Sequence, residues 1–216
     1  QNKPATMVTL ALVVFAVFAA HGIESASDCK WIGVFANSTS SLVPPEVCTA
    51  TSRNVGAYYT STIYHCVDAQ SALKVTYNNS KSCDTKNGGT VLSETWFNAT
   101  SGYNLNCAAN AVDCSSVYRV YVNCTDSSCT NCAKTSAYNE RAIVTATCQV
   151  DIYGNKATSS IWQCNAHSQW RYNYDNNGAC TAPSSSVANI STGCIFQTGV
   201  WMYNEITTCN MPKVIQ

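Results

Sequence analysis

Fourteen cysteines are the densest reactive chemistry in this chain: Cys29, Cys48, Cys66, Cys83, Cys107, Cys114, Cys124, Cys129, Cys132, Cys148, Cys164, Cys180, Cys194 and Cys209. An even number at this density points to an oxidising compartment and structural disulfides rather than to cytosolic thiols. The spacing leaves their pairing open. Cys129-Thr130-Asn131-Cys132 is a CxxC, the ligand half of many zinc sites and the core of redox pairs. A zinc site needs a second ligand pair, and a redox motif needs a βαβ setting; neither pattern is present.

Other reactive residues are few. Of the three histidines, His65 and His167 lie beside or soon after cysteines. A Ser-His-Asp relay would need one of them near Asp68, Asp151 or Asp175 and an activated serine. Glu94, Glu140, Asp175 and Glu205 are scattered acids, and nothing in their spacing selects two for glycoside chemistry. The sequence therefore predicts no enzyme, no catalytic residue, no cofactor and no metal site. Trp162, Trp170, Tyr172, Tyr174, Trp201 and Tyr203 form an aromatic set; Trp170, Tyr172 and Tyr174 alternate and share one face of a strand. Such a face can stack on sugar rings, but packing against a second sheet is the favoured expectation. Five N-x-Ser/Thr sequons, at Asn37, Asn78, Asn98, Asn123 and Asn189, offer sites for N-linked glycans.

These residues are carried on short strands. Ser71–Asn78 reads Ser, any, apolar, basic, apolar, any, apolar, Asn, and the pattern returns in Ser116–Asn123 and, ending in Asp, in Ser168–Asp175. Alternation of this kind marks half-buried β-strands, with Leu73, Val75 and Tyr77 expected on the core side. Asn87-Gly88 is the strongest hairpin signal, because both residues take positive φ at low cost. No sustained helical period occurs, so the expected fold is all-β: disulfide-rich tandem antiparallel β units, sandwich-like and duplicated. Duplication is suggested because Ala69 through Cys83 aligns without a gap to Ala166 through Cys180, while Cys48 matches Cys148 and Cys29 matches Cys132.

The organisation that follows is a signal peptide over 1–26, a first β unit over 27–112, a cysteine-rich connecting β segment over 113–131 and a second β unit over 132–216. Met7–Ala20 is an uncharged apolar run, shorter than a membrane-spanning helix requires and suited to a signal h-region. The alternative is a strand retained for donation to a neighbouring subunit.

Charged residues make up only 11% of the 216, with formal net charge zero, which excludes partners that need a basic patch, nucleic acid and anionic membrane among them. Neutrality also favours association. The expectation is a secreted, extracellular structural glycoprotein that self-associates into a homopolymer through head-to-tail β contacts. The competing expectation is a carbohydrate-binding or adhesive module that takes extracellular polysaccharide on surface Trp and Tyr.

Overall fold

The computed structural model describes residues 29–36, 39–54, 58–101, 103–130, 132, 137–153, 156–175, 179–181 and 183–212. The apolar run Met7–Ala20, with its two readings, and the sequon at Asn37 lie outside these residues. The described chain is nearly all β, as its alternating sequence requires. Its strands are β1 (Trp31–Ala36), β2 (Thr39–Val43), β3 (Thr49–Asn54), β4 (Tyr58–Asp68), β5 (Ser71–Asn78), β6 (Thr90–Asn98) and β7 (Leu105–Asn106). They continue as β8 (Ser115–Cys124), β9 (Tyr138–Val144), β10 (Cys148–Tyr153), β11 (Lys156–Cys164), β12 (Ser168–Tyr174), β13 (Ser186–Ser191), β14 (Gly193–Gln197) and β15 (Val200–Asn210).

Three antiparallel sheets result, with strand orders β2-β1-β7, β10-β11-β12-β13 and β14-β15-β8-β9-β3-β4-β5-β6. One order of strand pairing recurs, in sheets of different size. Strands β3 to β6 and β10 to β13 are both four-stranded meanders, and β2-β1-β7 has its counterpart in β9-β8-β15. Cystines follow this correspondence: Cys48–Cys83 and Cys148–Cys180 each close a meander. Cys66–Cys107 ties β4, the second strand of the first meander, to the residue after β7, and Cys164–Cys209 ties β11, the second strand of the other, to β15, the counterpart of β7. Cys29 and Cys114, just ahead of β1 and β8, are bonded to each other. The topological counterpart of Cys29 is thus Cys114; Cys132, its match by sequence, pairs with Cys124. The eight-stranded sheet draws on both units and on the segment between them, through the pairing of β3 with β9.

The recurring strands are β5, most of β8 and the whole of β12, with the faces of β5 and β12 used differently from the expected way. The inter-sheet core of the first half gathers Ile32, Ala72, Phe97 and Cys107, packed by Val34, Val43, Tyr64, Cys66, Tyr103 and Leu105. The side of β5 that faces the smaller sheet is therefore that of Ala72, not that of Leu73, Val75 and Tyr77. Alternation fixes which residues share a face but not which face a second sheet covers. Val75 is nevertheless buried, at 5% exposure. In the second half the equivalent apolar face is covered by its own disulfide loop, where Ile161, Tyr174 and Cys180 pack with Cys148 and Tyr172. Its inward residue is Gln169, fully buried and donating to the Ser116 hydroxyl, which donates in turn to the Thr208 carbonyl at 3.0 Å.

Asn87 (φ 56°) and Gly88 (φ 87°) take the expected left-handed conformation, in a single 3-10 turn just before β6. They do not make a two-residue hairpin. β6 pairs with β5 across the longer loop that Cys48–Cys83 anchors. Gly89 is required there, because a Cβ would lie 2.3 Å from the Asp84 carbonyl oxygen.

Candidate functional site

The chemistry-bearing residues fall into separate places. His65 sits on β4 and shares a hydrogen bond between its Nδ1 and Glu46 Oε2 at 2.8 Å, while Glu46 Oε1 accepts from the Cys66 amide at 3.1 Å. That partner is neither Asp68 nor a serine. Glu46 precedes a cysteine in an irregular segment, and its role carries no sequence signal. His167 takes part through its backbone, its amide donating to Asn165 Oδ1 at 2.8 Å. No Ser-His-Asp relay is assembled among the described residues.

Two of the scattered acids do converge. Arg119 on β8 donates from Nε to Glu140 Oε1 on β9 at 2.8 Å, and its Nη2 bonds the same oxygen. Glu205 on β15 lies 3.8 Å from Arg119 Nη1 and accepts from the Tyr121 hydroxyl at 3.2 Å. Burial alone would push the Arg119 pKa down, but the hydrogen bonds it donates to the Tyr121 hydroxyl and to Glu140, with the Glu140 charge, outweigh it and raise the value. The guanidinium thus pairs with Glu140 and sits beside Glu205, and the cluster has a structural role. The second oxygen of Glu140 accepts from the Ala50 amide on β3 at 2.8 Å, and Asn139 Oδ1 accepts from the Thr51 hydroxyl at 2.9 Å. Together these bonds seal the β3–β9 junction.

The CxxC is divided between two cystines, Cys124–Cys132 and Cys129–Cys194. The sulfurs of Cys124, Cys129 and Cys132 lie within 4.8 Å of one another, as metal ligands would, but each is spent in a disulfide and offers no thiolate. Every cysteine of the chain is paired.

Of the described sequons, Asn98 ends β6, Asn123 lies near the end of β8 and Asn189 lies within β13, all three exposed; Asn78 ends β5 and is half-buried. The aromatic set is mainly consumed in packing: Tyr174 is buried, Tyr203 packs on the Tyr121 cluster, and Trp201 stacks with Phe196 at 4.9 Å. The exposed tryptophan is one outside that set. Trp96, 59% exposed, lies on β6 over a depression of about 610 Å³ shared with Asp68, Gln70, Ser71, Asn98 and Thr100. Asp68 is held below the usual carboxylate range by hydrogen bonds from the Ser71 side chain and the Gln70 amide. The exposed apolar residues concentrate on strand edges: Val91, Leu92 and Trp96 on β6, Ile195 and Phe196 on β14, and Val187 on β13. Alternation could have placed Trp96 opposite Phe97, but which of the two faces outward depends on where the smaller sheet lies.

These features define an all-β, cystine-stapled protein whose large exposed apolar side chains, Val67 and Val112 apart, lie on edge strands among the described residues. Compared with known proteins, the chain matches no family model, no curated protein and no solved structure. Seven disulfides fit an extracellular protein, and no helix among the described residues is long and apolar enough to cross a membrane.

Removing Glu140 leaves the partly buried Arg119 without its main partner and opens the β3–β9 junction. Glu140→Ala is expected to lower unfolding free energy by about 3 kcal/mol. Glu205→Ala, at a more exposed carboxylate, should cost under about 1 kcal/mol; equal losses in denaturant titrations would refute the assignment.

Tyr138 at the same junction has its phenol pKa raised above the ordinary 10.0, first by burial and then by the Glu140 charge. The folded state holds this proton more tightly, so the stabilisation is complete below about pH 10 and is lost as pH rises through the raised value. Tyr138→Phe should flatten that alkaline decline in thermal midpoint; an unchanged profile would show that other groups cause it.

Proposed function

We propose that this protein is a secreted, disulfide-rich structural glycoprotein, the subunit of an extracellular fibre or matrix assembled by head-to-tail β contacts. The observation that carries this reading is β6, an unpaired edge strand with Val91, Leu92 and Trp96 open to solvent. Such an edge presents a row of free backbone donors and acceptors and templates another strand. Zero net charge does not oppose association, and the cystine network suits a material exposed to proteases and oxidants. The recurring order of strand pairing would supply two similar halves for an extended subunit, and glycans at the exposed sequons would keep the remaining surface hydrated.

The glycosylated protein, secreted from eukaryotic cells, should form elongated particles whose mean length grows with concentration. Sedimentation and negative-stain electron microscopy measure this. Monodisperse monomers at high concentration would reject the fibre reading.

A second reading is supported by the Trp96 depression. An exposed indole beside Asp68, Gln70, Asn98 and Thr100 combines a stacking platform with hydrogen-bond partners, the elements of a sugar site. On this reading the protein is a carbohydrate-binding or adhesive module for extracellular polysaccharide. Glycan-array binding that Trp96→Ala reduces at least tenfold would establish it, and binding indifferent to Trp96 would exclude this site.

A further inference from the structure

The eight-stranded sheet has two different free edges, β6 and β14, and we propose that each copy of the chain joins the next by pairing its β6 with the β14 of its neighbour. This inference rests on the fibre reading above and specifies its joint. All pairings in the sheet are antiparallel, in the order β14-β15-β8-β9-β3-β4-β5-β6. Directions alternate along eight strands, so β6 runs opposite to β14. A neighbouring copy set down beside β6 by translation, with the rotation that sheet twist imposes, therefore presents its β14 antiparallel to it. The ladder continues without turning the subunit over. Such a contact joins unlike surfaces and does not close, so it generates a filament with a continuous sheet along its length.

Competing edges are less suited. β7 has only two residues. β2 and β10, edges of the two smaller sheets, lie against each other within the chain. β13 is exposed but carries the Asn189 sequon within the strand, and a glycan there would crowd an incoming partner. Pairing of β6 with β6 about a two-fold axis would place Glu94 opposite its own copy if the whole of Thr90–Asn98 paired, and diagonal to it if Ser93–Phe97 alone paired, so like charges come close in either register. β14, Gly-Cys-Ile-Phe-Gln, brings no charge to that position.

Length also fits. The register of β6 on β5 shifts between Thr76 and Tyr77 and leaves Leu92 as a bulge. Between that bulge and the sequon at Asn98 runs Ser93–Phe97, an uninterrupted stretch of five residues. β14 is also five residues long. Ile195 and Phe196, at 37% and 60% exposure, would then meet the exposed side chains of β6, Trp96 at 59% among them.

The test uses two secreted, glycosylated variants, each blocked at one edge by charge: Leu92→Lys with Trp96→Lys on β6, and Ile195→Lys with Phe196→Lys on β14. All four side chains are exposed, and disulfide mapping checks that each variant folds. Each variant alone should be monomeric where the unsubstituted protein forms fibres. Mixed in equal amounts they should form one-to-one heterodimers, because one supplies an open β14 and the other an open β6. A β14-blocked variant that dimerises alone would mean β6 pairs with itself and would overturn the proposal. Fibres unaffected by either block would overturn this joint and leave the fibre reading standing, whereas an unsubstituted protein that never polymerises removes both. Hydrogen exchange on unsubstituted material gives a readout without variants. On assembly, amides of β6 and β14 should gain at least tenfold protection while those of β13 do not; protection at β13 instead would relocate the joint.

Discussion

Cystine sulfur is the component common to all four hydrophobic clusters of this protein. The clusters are small, and each includes a disulfide: Cys66–Cys107 with Ile32 and Phe97, Cys29–Cys114 with Val144, Cys148–Cys180 with Ile161 and Tyr174, and the Cys124, Cys129, Cys132 and Cys194 group with Tyr121. Short alternating strands rich in Ser, Thr and Asn supply limited apolar area, and division into several small clusters limits it further. Here each disulfide acts twice, as apolar bulk in the core and as a constraint on the unfolded chain worth on the order of 2–4 kcal/mol. The sheets can therefore be polar along much of their length, as the fully buried Gln169 and Ser116 are, without the fold depending on one continuous core.

The two halves become one sheet through a narrow contact. Only Thr51 with Asn139 and Ser52 with Tyr138 are in register between β3 and β9, too few to hold the junction by backbone pairing alone. Side chains make up the deficit. Glu140 binds Arg119 on its own side and the Ala50 amide across the gap, and the Arg119 guanidinium lies 4.7 Å from the centre of the Tyr138 ring. The Cys29–Cys114 bond ties the starts of β1 and β8 independently of that contact. At this junction the β3 edge of the first meander takes a strand from later in the same chain, with complementary side chains on both sides. It also gives the sheet an even number of strands and two unlike ends.

Much of the strand content was legible in the sequence, because period-2 alternation and turn residues are local signals. That the cysteines are spent in disulfides was legible for the same reason: density needs no contact map. What was not legible depended on distance. Cys29 matches Cys132 in spacing yet bonds Cys114, since pairing is decided by which strand starts meet. Leu73, Val75 and Tyr77 were read as facing the inter-sheet core, whereas Ala72 does, because a strand buried on both faces conceals which cover is a sheet and which a disulfide loop. Glu140 and Glu205 looked like isolated acids because Arg119 brings them together from strands 65 residues apart by number (205 less 140). Trp96 carries no sequence signal of exposure, since its neighbour Phe97 is equally apolar and only the position of the smaller sheet separates the buried ring from the exposed one.

Unpaired edges normally carry protection, and the edges of this protein carry it unequally. With no net charge to keep molecules apart, protection must be local. β6 has a bulge at Leu92, one acid at Glu94 and a sequon on its final residue; β13 has a sequon within the strand; β7 is cut to two residues. β14 has neither a charge nor a sequon, and it displays Phe196 and Ile195. A chain shaped only to remain monomeric would have its least guarded edge made polar, since a single lysine suffices and costs little at an exposed site. An apolar β14 at one end of a sheet whose other end is only partly guarded is instead the asymmetry that the proposed directional assembly would require: one edge open, the other open over a limited length, and the remaining edges closed.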